Sequence, residues 1–227
     1  MSVLVVVPVL NRPHRARPLV ESIAKATRRD HAVLFVCSPD DDAEIDACSE
    51  LSTLRSNVYV MTMASPPERG DYARKVNAAL PVALDLGCAW LFTGADDLAF
   101  HPGWDEIALR HDGYGDVLGT VDLCNRRTRN AQHSTHSLVR VSYAAAHGTI
   151  DRPRSVLHEG YWHNYVDDEL LATARHRNVY VPTRAVVEHQ HFTNRRSRVT
   201  LDDTYRKGQE HFADDRALFH ERSHLWQ

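Results

Sequence analysis

Cysteine, glycine and long apolar runs are all scarce in this chain, and each shortage narrows what it can be. The 227 residues include four cysteines, Cys37, Cys48, Cys88 and Cys124. None forms a CxxC pair, so zinc-ribbon and thioredoxin-type chemistry is excluded, and reduced, mostly buried thiols in a cytosolic setting are expected. The ten glycines make no GxxxxGK[ST] loop and no GxGxxG turn after the first apolar run, which removes the P-loop and dinucleotide-binding classes. A GxSxG elbow and an HExxH zinc helix are missing as well. No apolar stretch approaches the roughly 18 residues of a membrane span. The apolar residues 1–9 lack a basic flank, so no secretory leader is expected. An excess of one charge is also lacking: 27 Lys and Arg face 30 Asp and Glu, for a net −3. The chain as a whole therefore has no general affinity for nucleic acid.

What is present is an ordinary globular composition, 43% hydrophobic and 25% charged, sized for one domain. "SVLVVVPVL" at residues 2–10 has the continuous β-branched character of a strand buried on both faces. Residues 15–28 read as a helix, 32–37 as a second buried strand, 43–54 as a helix and 58–63 as a third strand. Residues 71–86 read as a longer helix, bent at Pro81 and closed by Gly87, before a fourth strand at "AWLFTG". This alternation predicts an α/β domain with a largely parallel sheet. Ligands bind such sheets at the carboxyl ends of the strands. That edge would carry Pro8, Asn11 and Arg12, the segment Ser38 to Asp42, and the pair Asp96-Asp97.

The second half is less regular. "DVLGTV" and "HSLVRV" suggest strands around an arginine-rich loop, "CNRRTRN"; residues 166–177 suggest a helix opened by "VDDEL". Two short strands are expected in "YVP" and "AVVEHQHF", then a basic, mobile stretch over 194–203 and one polar C-terminal helix.

Adjacent carboxylates after a strand serve either as a helix N-cap or as ligands for a hard divalent cation. One carboxylate suffices for a cap, so the pair Asp96-Asp97 puts the metal reading level with the plain one. Strand alternation puts His189 and His191 on one face, where two exposed histidines are the plainer reading unless the aspartates lie nearby. Asp167, Asp168 and Glu169 read equally well as an acidic first turn favoured by the helix dipole.

The stretches "VLVVVPVLNRP", "RGDYARKVNAAL", "WLFTGADDLAFHPGW", "YVDDELLATA" and "VVEHQHF" occur in the order of a glycosyltransferase of the GT-A fold. The chain resembles the family-2-like nucleotide-sugar transferases, above all short phage-encoded ones, across residues 2–192. The resemblance implies a GT-A type α/β fold: a Rossmann-like, mostly parallel central sheet flanked by helices, with a smaller irregular acceptor-side region. It implies one domain over 1–227, with a nucleotide-sugar half at 1–122, an acceptor half at 123–192, and a basic loop and helix at 193–227. Pro8, Asn11 and Arg12 would line the nucleotide pocket, Asp40 or Asp41 (or Asp42) would face the base, and Lys75 and Asn77 would sit near the nucleotide. Asp96 would hold ribose, and Asp96 and Asp97 with His189 or His191 would bind Mn²⁺ or Mg²⁺. Asp168 would be the catalytic base of an inverting transfer, with Asp167 in place of the usual glutamate. Arg195, Arg196 and Arg198 could close over the diphosphate as a mobile lid, although a solvated basic loop is the plainer reading.

Two departures stand out. Alanine occupies position 95, where an Asp-x-Asp pattern has its first carboxylate, and Ser-Pro-Asp-Asp-Asp replaces the common Asp-Gly-Ser. A UDP-sugar is the expected donor. If the clusters Arg126-Arg127-Arg129 and Arg195-Arg196-Arg198 both border the site mouth, they suit a polyanionic acceptor such as DNA bearing a hydroxymethylated base; otherwise a glycan, protein or small molecule is the acceptor. Trp104, Tyr161 and Trp162 are candidate stacking platforms for a sugar or base, with a core position an equally good reading for the tryptophans. The host cytoplasm is the expected location for a phage-encoded protein. The competing readings are a sugar-nucleotide nucleotidyltransferase, which would need a glycine-rich loop where "PVLNRPHR" stands, and a non-catalytic binding module on the same fold.

Overall fold

The computed structural model describes residues 2–63, 69–124, 130–193 and 199–227. The four apolar runs of the first half form β1 (Val3–Pro8), β2 (His31–Cys37), β3 (Val58–Thr62) and β4 (Trp90–Thr93). β1 lies between β2 and β4, and β2 pairs with β3, all in parallel. The crossovers are α1 (Pro13–Ala26), α2 (Asp42–Leu54) and α3 (Asp71–Asp85). Pro13 opens α1 where a missing N–H costs nothing, and the Asp41 carboxylate caps α2 by accepting from Glu44 N–H. α3 continues through Pro81 and ends at Gly87, φ +64°, whose N–H reaches Leu84 O while Cys88 N–H reaches Ala83 O. These two bonds satisfy carbonyls that the helix end leaves open.

Beyond β4 the strands change direction. β5 (Leu98–Phe100), β6 (Val117–Val121), β7 (Ser137–Arg140) and β8 (Tyr180–His189) complete an eight-stranded sheet in the order β3-β2-β1-β4-β7-β6-β8-β5. β7 runs antiparallel to β4 and β6, β6 parallel to β8, and β5 antiparallel to β8. The two short strands expected over 180–192 are one. Pro182 sits beside an irregularity in the β6–β8 pairing, where a missing ladder donor is tolerated.

Alternation along each strand divides the buried side chains between two cores. Val3, Val5, Val7, Leu19, Ile23, Phe92, Phe100 and Trp104 pack on the α1 side of the sheet. Leu4, Val6, Leu34, Val76, Leu80 and Tyr161 pack on the α3 side. Trp104 opens α4 (Trp104–Leu109), makes edge-on ring contacts with Phe92 and Phe100, and donates its indole N–H to Thr27 Oγ1 at 3.0 Å. Trp104 and Tyr161 have no exposed surface, so both are core residues and not stacking platforms. Trp162, half-buried, stacks on His211.

The remaining helices are α5 (Val141–Ala146), α6 (Val166–His176), α7 (Asp203–Glu210) and α8 (Phe212–Arg222), followed by a 3-10 turn. The single C-terminal helix of the sequence reading is thus two, broken at His211. α8 is anchored by two buried carboxylates. Asp215 accepts N–H bonds from Trp162, His163 and Asn164 at 2.7, 3.0 and 2.7 Å. Arg222 donates twice to Glu169 of α6, both at 2.8 Å. Among the described residues no helix is long and apolar enough to cross a membrane.

Asp215→Ala strands three N–H donors, each of which costs free energy when left without an acceptor. The expected loss is about 2–3 kcal/mol, read from the urea midpoint at unchanged slope. An unchanged midpoint would show that α8 is not held this way.

Candidate active site

The carboxyl ends of β1, β2 and β4 meet at one edge, and Gly94 lets them approach. A Cβ there would lie 2.5 Å from Val6 O, so only glycine fits where β4 leaves the sheet. The chain then delivers Asp96 and Asp97, 8% and 6% exposed. Burial with a like charge alongside is costly for both, and positive or donor groups from three other segments relieve it. Arg12 Nη1 donates to Asp96 Oδ1 at 3.1 Å. Arg15 Nη1 lies 3.7 Å from both carboxylates. His189 Nε2 is 3.0 Å from Asp97 Oδ2, and the Tyr205 hydroxyl donates to the same oxygen at 2.6 Å.

The β5–β8 pairing explains the His189 contact. It sets Leu98 opposite His189, and Gln190 N–H bonds Asp97 O at 2.7 Å. Burial opposes ionisation of Asp97, but the His189 charge and the His189 and Tyr205 hydrogen bonds hold it far below the usual carboxylate range. Burial and the neighbouring Asp97 push Asp96 up to about 7, against Arg12 and Arg15. Burial depresses His189, but Asp97 outweighs it and raises the imidazole above its ordinary value.

Arg12, 5% exposed, spans the site. Its Nε and Nη2 donate to the two oxygens of Asp202 at 2.8 and 2.7 Å, and its guanidinium lies 4.0 Å from the Tyr205 ring centre. Asn11 N–H bonds Asp41 Oδ2 at 2.6 Å, joining the predicted loops after β1 and β2, while Asp40 is exposed. Pro8 ends β1. Lys75 is fully buried, and its ammonium reaches Val9 O, Ser38 Oγ and Asp71 Oδ2 at 2.9, 2.9 and 3.1 Å. It ties the two loops to α3 from beneath.

Two sequence-predicted residues sit otherwise than expected. Asn77 is a brace: its amide donates to Ser155, Leu157 and Glu159 and accepts from Val156 and Leu157 N–H. His191 lies beyond the end of β8, so strand alternation does not place it. Its ring is nonetheless 5.1 Å from that of His189, and its Nδ1 pairs with Thr193 Oγ1 at 2.8 Å. Of the four predicted metal ligands, Asp97 and His189 come into direct contact, while Asp96 is engaged by Arg12. Arg195 and Arg196, like Arg126, Arg127, Arg129 and Arg198, lie outside the described residues.

The second acidic pair opens α6. Asp167 is pushed up to about 6 by burial and by Asp168, and lowered in part by His133. His133 Nδ1 is 3.2 Å from Asp168 Oδ1, and its Nε2 is 3.7 Å from Asp167 Oδ2. Tyr72 is within electrostatic reach of both acidic pairs. Its hydroxyl donates to Gly94 O at 3.2 Å, and it is raised first by burial and then by Asp167 and Asp97. The sequence reading missed Arg15, Tyr72, His133, Asp202 and Tyr205. Only Asp202 left a signal, as an aspartate in N-cap position before a helix.

Four groups around the site are shifted, and the signs oppose. The folded-state values of Asp96 and His189 are raised, so the stability they favour grows as pH falls through those values. His136, buried with Nδ1 donating to Thr93 O, is held down to about 3 by burial and by His189, and His191 to about 4. These two lose stability as pH falls below the ordinary imidazole value of about 6.5. Without metal, thermal stability should therefore peak near pH 6.5, and Asp96→Asn should flatten the alkaline limb. A melting temperature that climbs steadily from pH 6 to 9 would contradict this balance.

No protein-family model matches the sequence, and no curated protein sequence does. Solved structures do match in fold. TarS of S. aureus in complex with UDP superposes with a TM-score of 0.61 at 15% identity, over 83% of this chain and 60% of that one. The mannosyltransferase PcManGT of Pyrobaculum calidifontis, in complex with GDP-Man and Mn²⁺, gives 0.62 at 13% identity, over 98% and 69%. Glucosyl-3-phosphoglycerate synthase of Mycobacterium tuberculosis, in complex with Mn²⁺ and UDP-glucose, gives 0.62 at 14% identity, over 96% and 78%. This chain thus spans about 60% of the length of the TarS structure. Its mixed sheet with flanking helices is a GT-A type glycosyltransferase fold.

Proposed function

We propose that the protein is a metal-dependent glycosyltransferase that moves a sugar from a nucleoside-diphosphate sugar to a hydroxyl group. The observation that carries this reading is that two carboxylate pairs, Asp96-Asp97 and Asp167-Asp168, both act on Tyr72, whose hydroxyl bonds Gly94 O just beyond β4. One pair meets an imidazole and two arginines; the other opens a helix and meets a histidine. The neighbours that share the fold were solved with UDP, GDP-Man and UDP-glucose, two of them with Mn²⁺.

The donor set fits a hard or borderline divalent cation. A carboxylate oxygen of Asp97 and an imidazole nitrogen of His189, 3.0 Å apart, are both ligand types that Mn²⁺ accepts. When bound, such an ion would supply charge neutralisation for the departing diphosphate. Arg12 and Arg15 supply fixed positive charge beside it. Asp168 acts as general base: it takes the acceptor proton as the acceptor oxygen bonds the anomeric carbon. The bond from that carbon to the diphosphate breaks, and the electron pair leaves with the nucleotide. Attack opposite the leaving group inverts the anomeric centre. A UDP-sugar is the proposed donor. DNA with a hydroxymethylated base is the proposed acceptor, on the strength of the two arginine clusters in the sequence.

Asp97→Ala should abolish Mn²⁺-dependent binding of UDP or GDP in calorimetry. Asp168→Asn should leave that binding intact and slow transfer by about 10²–10⁴-fold. Wild-type turnover in Asp168→Asn would remove the base assignment.

The own-chain contacts of Arg12 have a measurable cost for the ligand. Asp202 holds the Arg12 fork with two oxygens, as a phosphate does. A nucleoside diphosphate that engages Arg12 must displace it. Asp202→Ala should therefore tighten UDP or GDP binding, by roughly tenfold for each 1.4 kcal/mol released. Weaker binding in this variant would instead mark Asp202 as a support for the nucleotide.

A further inference from the structure

We infer that His133 is the positioning residue for the Asp168 carboxylate. The inference rests on the proposed role of Asp168 as base and concerns how that base is aimed. A base on the first turn of a helix has a free χ1 and two equivalent oxygens, so its geometry must come from neighbours. His133 provides a neighbour with two handles: Nδ1 at 3.2 Å from Asp168 Oδ1, and Nε2 at 3.7 Å from Asp167 Oδ2. The first is an ion-pair contact within reach of the Nδ1–H group. The second is too long for a hydrogen bond and acts as charge attraction when the ring is protonated.

The segment that carries His133 is held on both sides. Ala131, fully buried, has φ +55°, and its carbonyl accepts from the Tyr180 hydroxyl. The Gln132 carbonyl accepts from Arg175, a residue of α6 itself. Ser134 Oγ accepts from Thr120 N–H at 2.8 Å and donates to His136 O at 2.7 Å, and His136 Nδ1 donates to Thr93 O at 2.6 Å. The loop is thereby pinned to β8, α6, β6 and β4, and the imidazole is presented to α6 from a fixed backbone.

The helix is fixed from its other side. Glu169, one residue past Asp168 and 2% exposed, accepts from Arg222 and from the Tyr161 hydroxyl at 2.7 Å. Rotation of the first turn of α6 is therefore blocked by Glu169, and rotation of the Asp168 side chain by His133. With Oδ1 against His133, the Asp168 carboxylate is aimed at the acceptor hydroxyl. It receives the proton as the new glycosidic bond forms, while the diphosphate departs with the bonding electrons. His133 neither gains nor loses a proton in this step. Misplacing a reacting group by about 1 Å costs about 10²-fold in rate, which sets the scale of the contribution.

The test exploits which ring nitrogen makes the contact. The amide nitrogen of asparagine overlays histidine Nδ1, and that of glutamine overlays Nε2. Hydrolysis of UDP-glucose and GDP-mannose with Mn²⁺ is followed in wild type, His133→Phe, His133→Asn, His133→Gln and Asp168→Asn. Crystal structures of the His133 variants need no substrate. The expected results are a fall in kcat of about 10²-fold in His133→Phe at unchanged KM, substantial rescue in His133→Asn, and little in His133→Gln. The Asp168 carboxylate should change rotamer in the Phe variant and keep it in the Asn variant. An unmoved Asp168 in the crystal structure of His133→Phe overturns the inference, whatever the activity. Full activity in His133→Phe alongside an inactive Asp168→Asn also overturns it and leaves the glycosyltransferase reading standing. Full activity in Asp168→Asn removes the base assignment and His133's role with it.

Discussion

Two carboxylates buried side by side cannot both ionise in a low-dielectric pocket unless their charge is answered, and much of the site follows from that requirement at Asp96-Asp97. The answer comes from Arg12 and Arg15 at the start of α1, His189 at the end of β8 and Tyr205 in α7. Each of these is placed by a different structural device: a proline-initiated helix, an antiparallel edge pairing and a capped C-terminal helix. The two acids are not equivalent in the result. Asp97 is surrounded by donors and stays ionised, whereas Asp96 is carried towards neutral pH. Asp97 thereby remains a charged acceptor for His189 and Tyr205, and Asp96 holds Arg12.

The parallel half of the fold was legible because continuous β-branched runs separated by helical periods leave few alternatives. β1 to β4 and α1 to α3 follow the sequence pattern to within a few residues at each end. The second half was less legible for a physical reason. β5 is three residues long, and its pairing with β8 depends on where the chain turns after Asp97, which no local pattern records. The fusion of two expected strands into β8 depends likewise on a neighbour, β6, that accommodates Pro182 at an irregularity.

The candidate site was legible in its acids and opaque in what answers them. Asp96, Asp97, Asp167 and Asp168 stand out as pairs, and His189 as part of an HxH motif. Tyr205, Asp202, Arg15 and His133 have no motif of their own, because their roles exist only through contacts across the fold. Asn77 shows the converse: it lies in a stretch shared with a family pattern, yet its amide is spent on the loop at residues 155–159. Buried aromatic residues were open between two readings for a similar reason. Trp104 and Tyr161 resemble stacking residues in sequence and turn out to be the filling of two cores.

The Arg12–Asp202 contact joins residues 190 positions apart, and Tyr205 reaches Asp97 across 108. Contacts of such sequence separation close slowly, since the loop entropy must be met before they repay it. During synthesis the strands from β1 to β4 emerge long before α7, so the sheet precedes the residues that quiet its acidic edge. A nascent chain stalled before Asp202 would expose that edge without Arg12's carboxylate partner or the Tyr205 hydroxyl. Completion of the pocket thus waits for α7, long after the sheet that carries its acids.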